Sequence, residues 1–206
     1  MIANADVRVR SVCYVRQLPA AKTSTRIDRG RALSYVNSMS TLPIILIPDP
    51  ILRRISDPVE RIDAAVLRLM DDMLDTMYAA PGIGLAAVQV NVPRRIVVLD
   101  TADDGEENSP LCMINPELVA LGPTTRLYEE GCLSIPDVRV EIERPEAVTV
   151  RYLDRAGKTQ ELAATGLLAT ALQHELDHLD GHLIIDFLSR LKRDIIIRKF
   201  KKQARE

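Results

Sequence analysis

With 206 residues, 47% hydrophobic and 27% charged, the chain is large enough for one compact domain with a substantial core, and its composition excludes a disordered or collagen-like protein. No run of 18 apolar residues occurs, which excludes a membrane-spanning helix; the most apolar stretch, Leu42 to Ile51, is broken by Pro43, Pro48 and Pro50. The net charge of −2 conceals an acidic centre of −13 between two basic ends, +5 over residues 1–38 and +6 over 190–206. Three cysteines, Cys13, Cys112 and Cys132, are too few and odd in number for a disulfide framework, so their interest is chemical.

Residues 1–38 carry Arg8, Arg10, Arg16, Arg26, Arg29 and Arg31 among scattered Ser and Thr, without a sustained apolar period. They read as a disordered extension or a mis-assigned start, with Met39 opening the domain. An organelle transit peptide is the alternative that the Arg-rich, acid-poor composition keeps open. From Asp63, the residues Val66, Leu69, Met70, Met73, Leu74 and Met77 fall on one helical face; Asp63 is placed to cap this helix and Pro81-Gly82 to stop it. Short β-branched runs, Arg95 to Asp100, Val138 to Ile142 and Ala147 to Asp154, read as antiparallel strands between turn clusters. A second helix is expected over about 166–179, ending at Asp180-Gly181, and a third from near Ser189. The expected fold is α+β, with antiparallel strands around the second helix and a C-terminal helix, in a single catalytic domain over 39–206.

That second helix contains His174-Glu175-Leu176-Asp177-His178, an HExxH pattern. Four residues advance a helix by about 400°, so both imidazoles share a face and can grip one metal, with Glu175 beside them. All three histidines of the chain lie between positions 174 and 182, which a merely solvated helix does not explain. The longer metalloprotease pattern HExxHxxGxxH fits at Gly181 but fails at Ile184, and His182 lies beyond the expected helix stop. Glu130-Gly131-Cys132-Leu133-Ser134, followed by a turn signal at Pro136-Asp137, offers Cys132 as the leading third ligand. A structural Cys₂His₂ site through Cys112 is a rival, weakened by the 20-residue separation of Cys112 and Cys132. A third stretch, Gly82-Ile83-Gly84-Leu85-Ala86-Ala87-Val88-Gln89, mimics a dinucleotide fingerprint but follows a helix and runs into the strand-like Val88 to Val92. Its glycines are expected to admit substrate backbone, and the Gln89 amide to donate to a developing oxyanion.

Taken in order, GIGLAAVQ at 82–89, EGCLS at 130–134 and QHELDH at 173–178 resemble the three motifs of the peptide deformylase family, specifically the bacterial branch with a long C-terminal helix. The resemblance runs from about Leu42 through the last helix. It implies metal ligation by Cys132, His174 and His178, and general acid–base catalysis by Glu175. Oxyanion stabilisation would fall to Gln89 and the Leu133 backbone N–H. It further implies substrate contacts from Ile83, Gly84, Tyr128, Gly131, Arg139, Leu167 and Ala171, and an ion pair of Glu130 with Arg144. The implied substrate is the N-formyl-methionine of a nascent polypeptide, hydrolysed with release of formate. The implied cofactor is one Fe²⁺, for which Zn²⁺ or Ni²⁺ can substitute. A transient ribosome contact through the basic C-terminal helix, a cytoplasmic location, and no membrane or DNA partner complete the expectation. A zinc endopeptidase is the rival activity.

Overall fold

The computed structural model describes residues 41–102 and 107–204; the readings made for residues 1–38 and for a start at Met39 lie outside them. The chain first lays down an extended segment and a 3₁₀ turn, Pro50–Arg53, before helix α1, Ala64–Ala79. Asp63 caps α1, its carboxylate accepting from the backbone N–H groups of Ala65 and Val66. The predicted apolar face is largely what is buried: Val66, Met70, Met73 and Met77 enter a core with Leu85, Ile96, Val98 and Ile114.

Seven strands follow: β1 Gly84–Ala86, β2 Ile96–Leu99, β3 Leu111–Leu121, β4 Thr125–Cys132, β5 Ile135–Pro145, β6 Ala147–Leu153 and β7 Thr159–Thr165. All pairings between them are antiparallel. Strands β1-β2-β3-β6-β7 make one sheet in that order, and β4-β5 form a separate hairpin. Helix α2, Gly166–Leu179, packs against β1, β2, β5, β6 and β7, and α3, Arg190–Gln203, closes the described chain. From Ala169 to Leu179 every residue of α2 except Asp177 is buried, so this helix lies in the interior between sheet and hairpin. That is the expected α+β arrangement around the HExxH helix.

Two local expectations are corrected. Val88 to Val92 is not a strand: Ala87–Val90 is a 3₁₀ turn ending on Asn91 in the left-handed region, φ 66°. The Gln89 carboxamide explains the turn, because its Oε1 accepts from the Ala86 N–H at 2.9 Å and folds the chain back on itself. The reversal between β4 and β5 falls at Leu133-Ser134, not at Pro136-Asp137. Pairing jumps from Gly131 opposite Arg139 to Cys132 opposite Ile135, so Pro136 to Val138 bulge out of the ladder, with Asp137 at φ 62°.

Candidate metal centre

Local chemistry delivers each site residue. Cys132 ends β4 at the hairpin reversal, while His174 and His178 project from one face of α2 a turn apart. The three ligand atoms lie within 4.8 Å of one another, all buried; Cys132 Sγ is 3.2 Å from His178 Nε2. A cysteine thiol and two imidazoles gathered this closely are a donor set that suits one cation. His174 Nδ1 donates to Glu130 Oε2 at 2.9 Å, which fixes its tautomer and leaves Nε2 for a metal. Glu130 in turn is held by Arg144 through Nε and Nη2. Burial works against ionisation of Glu130, but the bonds to His174 and Arg144 win and lower its pKa. His178 is pushed well below the usual histidine range by burial and then by the neighbouring His174, which favours the neutral form a ligand needs. His174 moves well above that range: burial lowers it, and hydrogen bonding to Cys132 and Glu130 outweighs the burial.

Glu175 is 4% exposed, which rules out the solvated-helix reading, and its Oε2 has no hydrogen-bond partner among the described residues. Burial pushes its pKa up to about 7 against the pull of His174. Gly84 has a reason beyond the one expected: a Cβ there would lie 2.4 Å from Glu175 Oε1, so its missing side chain makes room for this carboxylate. Gln89, anchored at Oε1 by Ala86, turns its Nε2 to Ser134 Oγ at 3.1 Å and towards Cys132 Sγ at 3.7 Å. The chain before α1 ties these loops together, Ile45 N–H donating to Gln89 O and Ile47 N–H to Ser134 O.

A cleft of about 480 Å³ opens at Cys132, walled by Ala80-Pro81, Gly131 to Leu133, and Ile135 to Arg139. Gly131, Leu133 and Arg139 all line it. Ile83 and Ala171 are buried in the core cluster that also holds Leu99 and Leu172, and the partly buried Leu167 packs against it. Leu167, Ala171, His174 and His178 nevertheless form one stripe of α2 at i, i+4, i+7 and i+11. Tyr128 reaches the start of the same helix, its hydroxyl 3.8 Å from where a Cβ on Gly166 would stand. Cys112 stays apart: half-buried on β3, it contacts Arg155 and does not join the ligand cluster. His182, exposed beyond Gly181, does not join it either. Ser134 and Asp177, each inside one of the motifs, also touch the site's residues, Ser134 through Gln89 and Asp177 through Arg144, with no local signal in the sequence for either contact.

A buried histidine pair on one helix, a cysteine from an adjoining hairpin and an interior carboxylate beside them define a metallohydrolase of the HExxH class. A family model described as polypeptide deformylase matches residues 41–194, and the chain belongs to that family. Peptide deformylase of Rhizobium meliloti is 59% identical over 167 residues, covering 81% of this chain and 96% of the relative. The crystal structure of peptide deformylase from Ehrlichia chaffeensis in complex with actinonin superposes with TM-score 0.77 at 43% identity, covering 82% of this chain and 100% of that one. That of a peptide deformylase from Legionella pneumophila gives 0.73 at 44% identity, with 81% and 99% covered. The protein is thus a metal-dependent hydrolase of protein synthesis, removing the N-formyl group from newly made polypeptides. Among the described residues no helix is long and apolar enough to cross a membrane.

Proposed function

We propose that Cys132, His174 and His178 hold one Fe²⁺ and that Glu175, Gln89 and Leu133 do the remaining chemistry on formyl-methionyl chains, within a single catalytic domain over 39–206. The donor set carries the reading: one soft thiol and two imidazoles, one of them already oriented by Glu130, converge in a buried pocket. The cation supplies Lewis acidity towards the formyl carbonyl and towards water. Glu175 takes the proton from the attacking water and returns it to the departing amine nitrogen. The Gln89 amide and the Leu133 N–H donate to the developing oxyanion. Ile83, Tyr128, Leu167 and Ala171 give the methionine side chain apolar company. Backbone at Gly84 and Gly131 pairs with the peptide, and Arg139, opposite Gly131, stands at the mouth of the cleft.

Zn²⁺ and Ni²⁺ suit the same ligands, so metal identity is tested by exchange. Anaerobic reconstitution with Fe²⁺ or Ni²⁺ should give faster formate release from a formyl-methionyl peptide than Zn²⁺, with an acetyl-methionyl peptide left intact. Air should inactivate the Fe²⁺ form alone, through oxidation of the metal or of Cys132. An equally fast Zn²⁺ form would make this a zinc enzyme.

The α3 surface supports transient docking on the ribosome, and with this substrate we take the cytoplasm as the working compartment. Lys192, Arg198 and Lys201 are exposed, whereas Ile196, Ile197 and Phe200 pack into the core, so removing the helix would damage the fold. Reversing the three exposed charges to Glu should weaken ribosome co-sedimentation by on the order of tenfold or more at low salt, and leave hydrolysis of short peptides unchanged. Unaltered co-sedimentation would sink the docking reading.

A further inference from the structure

The substrate that the cleft at Cys132 receives is the end of a polypeptide, so everything past the methionine has to leave along some surface. Beside the cleft lies a second groove of about 420 Å³, and Pro136 and Asp137 wall both. They stand between the two because the register slip in the hairpin, from Gly131 opposite Arg139 to Cys132 opposite Ile135, pushes them out of the ladder. The rest of the groove comes from two parts of the chain far apart in sequence. The extended segment before the first 3₁₀ turn supplies Leu46, Ile47 and Pro48, and the end of α3 supplies Lys199, Phe200 and Gln203. Leu46 is 44% exposed although it is large and apolar, whereas Ile47 and Phe200 are nearly sealed. Exposed polar side chains, Asp137, Lys199 and Gln203, complete the lining and can bond a peptide backbone.

We propose that this groove is a distal subsite for the substrate polypeptide: the chain downstream of the methionine crosses the Pro136-Asp137 bulge and lies against Leu46 and the end of α3. Continuity with the cleft carries the assignment. The two depressions share a wall, and an extended chain, advancing about 3.3 Å per residue, passes from one to the other within a few residues. The chemistry of the lining suits such an occupant, since apolar side chains and backbone-bonding groups hold a polypeptide without demanding a particular sequence. The groove also lies on the helix whose exposed cations support docking on the ribosome, so a chain reaching the cleft past α3 would meet it on the way.

This inference rests on the reading of the cleft as the formyl-methionyl site, and its test separates the two. Full-length, metal-loaded protein is assayed for formate release from a formyl-methionyl tripeptide and from a nonapeptide that begins with the same three residues and carries leucines beyond them. The nonapeptide should have a kcat/KM about tenfold higher, through KM, which is what partial burial of one large apolar side chain supplies. Leu46→Glu places a charge in the groove and Ala204→Trp fills it; both positions are exposed, so neither change enters the core. Each should bring the nonapeptide-to-tripeptide ratio of kcat/KM close to one, and Leu46→Met should keep it high. A ratio near one in the native protein, or a high ratio that both blocking variants leave intact, overturns the distal subsite. Dimerisation of the native chain that Leu46→Glu disperses, with the ratio unchanged, assigns the groove to a second copy and overturns it as well. Absence of formate release from the tripeptide would instead overturn the reading of the cleft.

Discussion

Glu175→Gln should keep its metal and lower kcat by roughly 10²–10⁴-fold. The amide has the shape of the carboxylate and fits the space Gly84 leaves beside Oε1, so the pocket has no cause to rearrange. What it lacks is a proton acceptor. The native carboxyl is pushed up to about 7 by burial, the range in which one group can both take a proton and give it back near neutral pH. Because the ionised form is the base, the rate of the native enzyme should fall as pH drops through the pKa of Glu175. The residual rate of the variant should lack that acid limb. Metal content by elemental analysis and kcat over a pH series decide the matter: a near-native rate with an intact acid limb would remove Glu175 from the mechanism.

The parts of this structure legible in the sequence are those fixed by nearby residues. Helix α1 announces itself through the Asp63 cap and the Met70–Met73–Met77 stripe, and α2 through Gly166 and Gly181, both in the left-handed region at its ends. The histidine pair is legible for the same reason, since i and i+4 on a helix share a face. Elements decided by distant partners are harder to read. Val88 to Val92 alternates like a strand, but the turn through it is set by the Gln89 side chain and by a backbone bond from Ile45, far back in the chain. Strand β3 is interrupted in pattern by Asn115 at φ 51° and by Pro116; it is a strand because β2 and β6 pair with it on either side of that irregularity. The site follows the same division. Cys132 could be attached to the histidines only through its motif. The sharing of Arg144 by Glu130 and Asp177 has no local signature, since β4, β5 and α2 must assemble before the three charges meet.

Cys132→Ser should weaken metal binding by more than the roughly 10–100-fold that loss of an outer-shell partner costs, and take activity with it. Cys132 is 4% exposed and its Sγ lies 3.2 Å from His178 Nε2, so the substitution acts at the centre of the donor set. A hydroxyl is only slightly smaller than a thiol, but it stays protonated and is a hard, weak donor where thiolate is soft and charged. A ligand that binds only the folded state raises stability by RT ln(1 + [L]/Kd), so added metal should raise the melting temperature of the native protein far more than that of the variant. The metal-free forms should melt close together, because the pocket loses little volume. Cys112→Ser supplies the contrast: its sulfur is near Arg155 and outside the ligand cluster, and metal affinity, the metal-induced rise in melting temperature and turnover should all survive. Loss of metal from the Cys112 variant would revive a four-ligand structural site, and tight binding with full activity in the Cys132 variant would remove the thiolate from the coordination sphere.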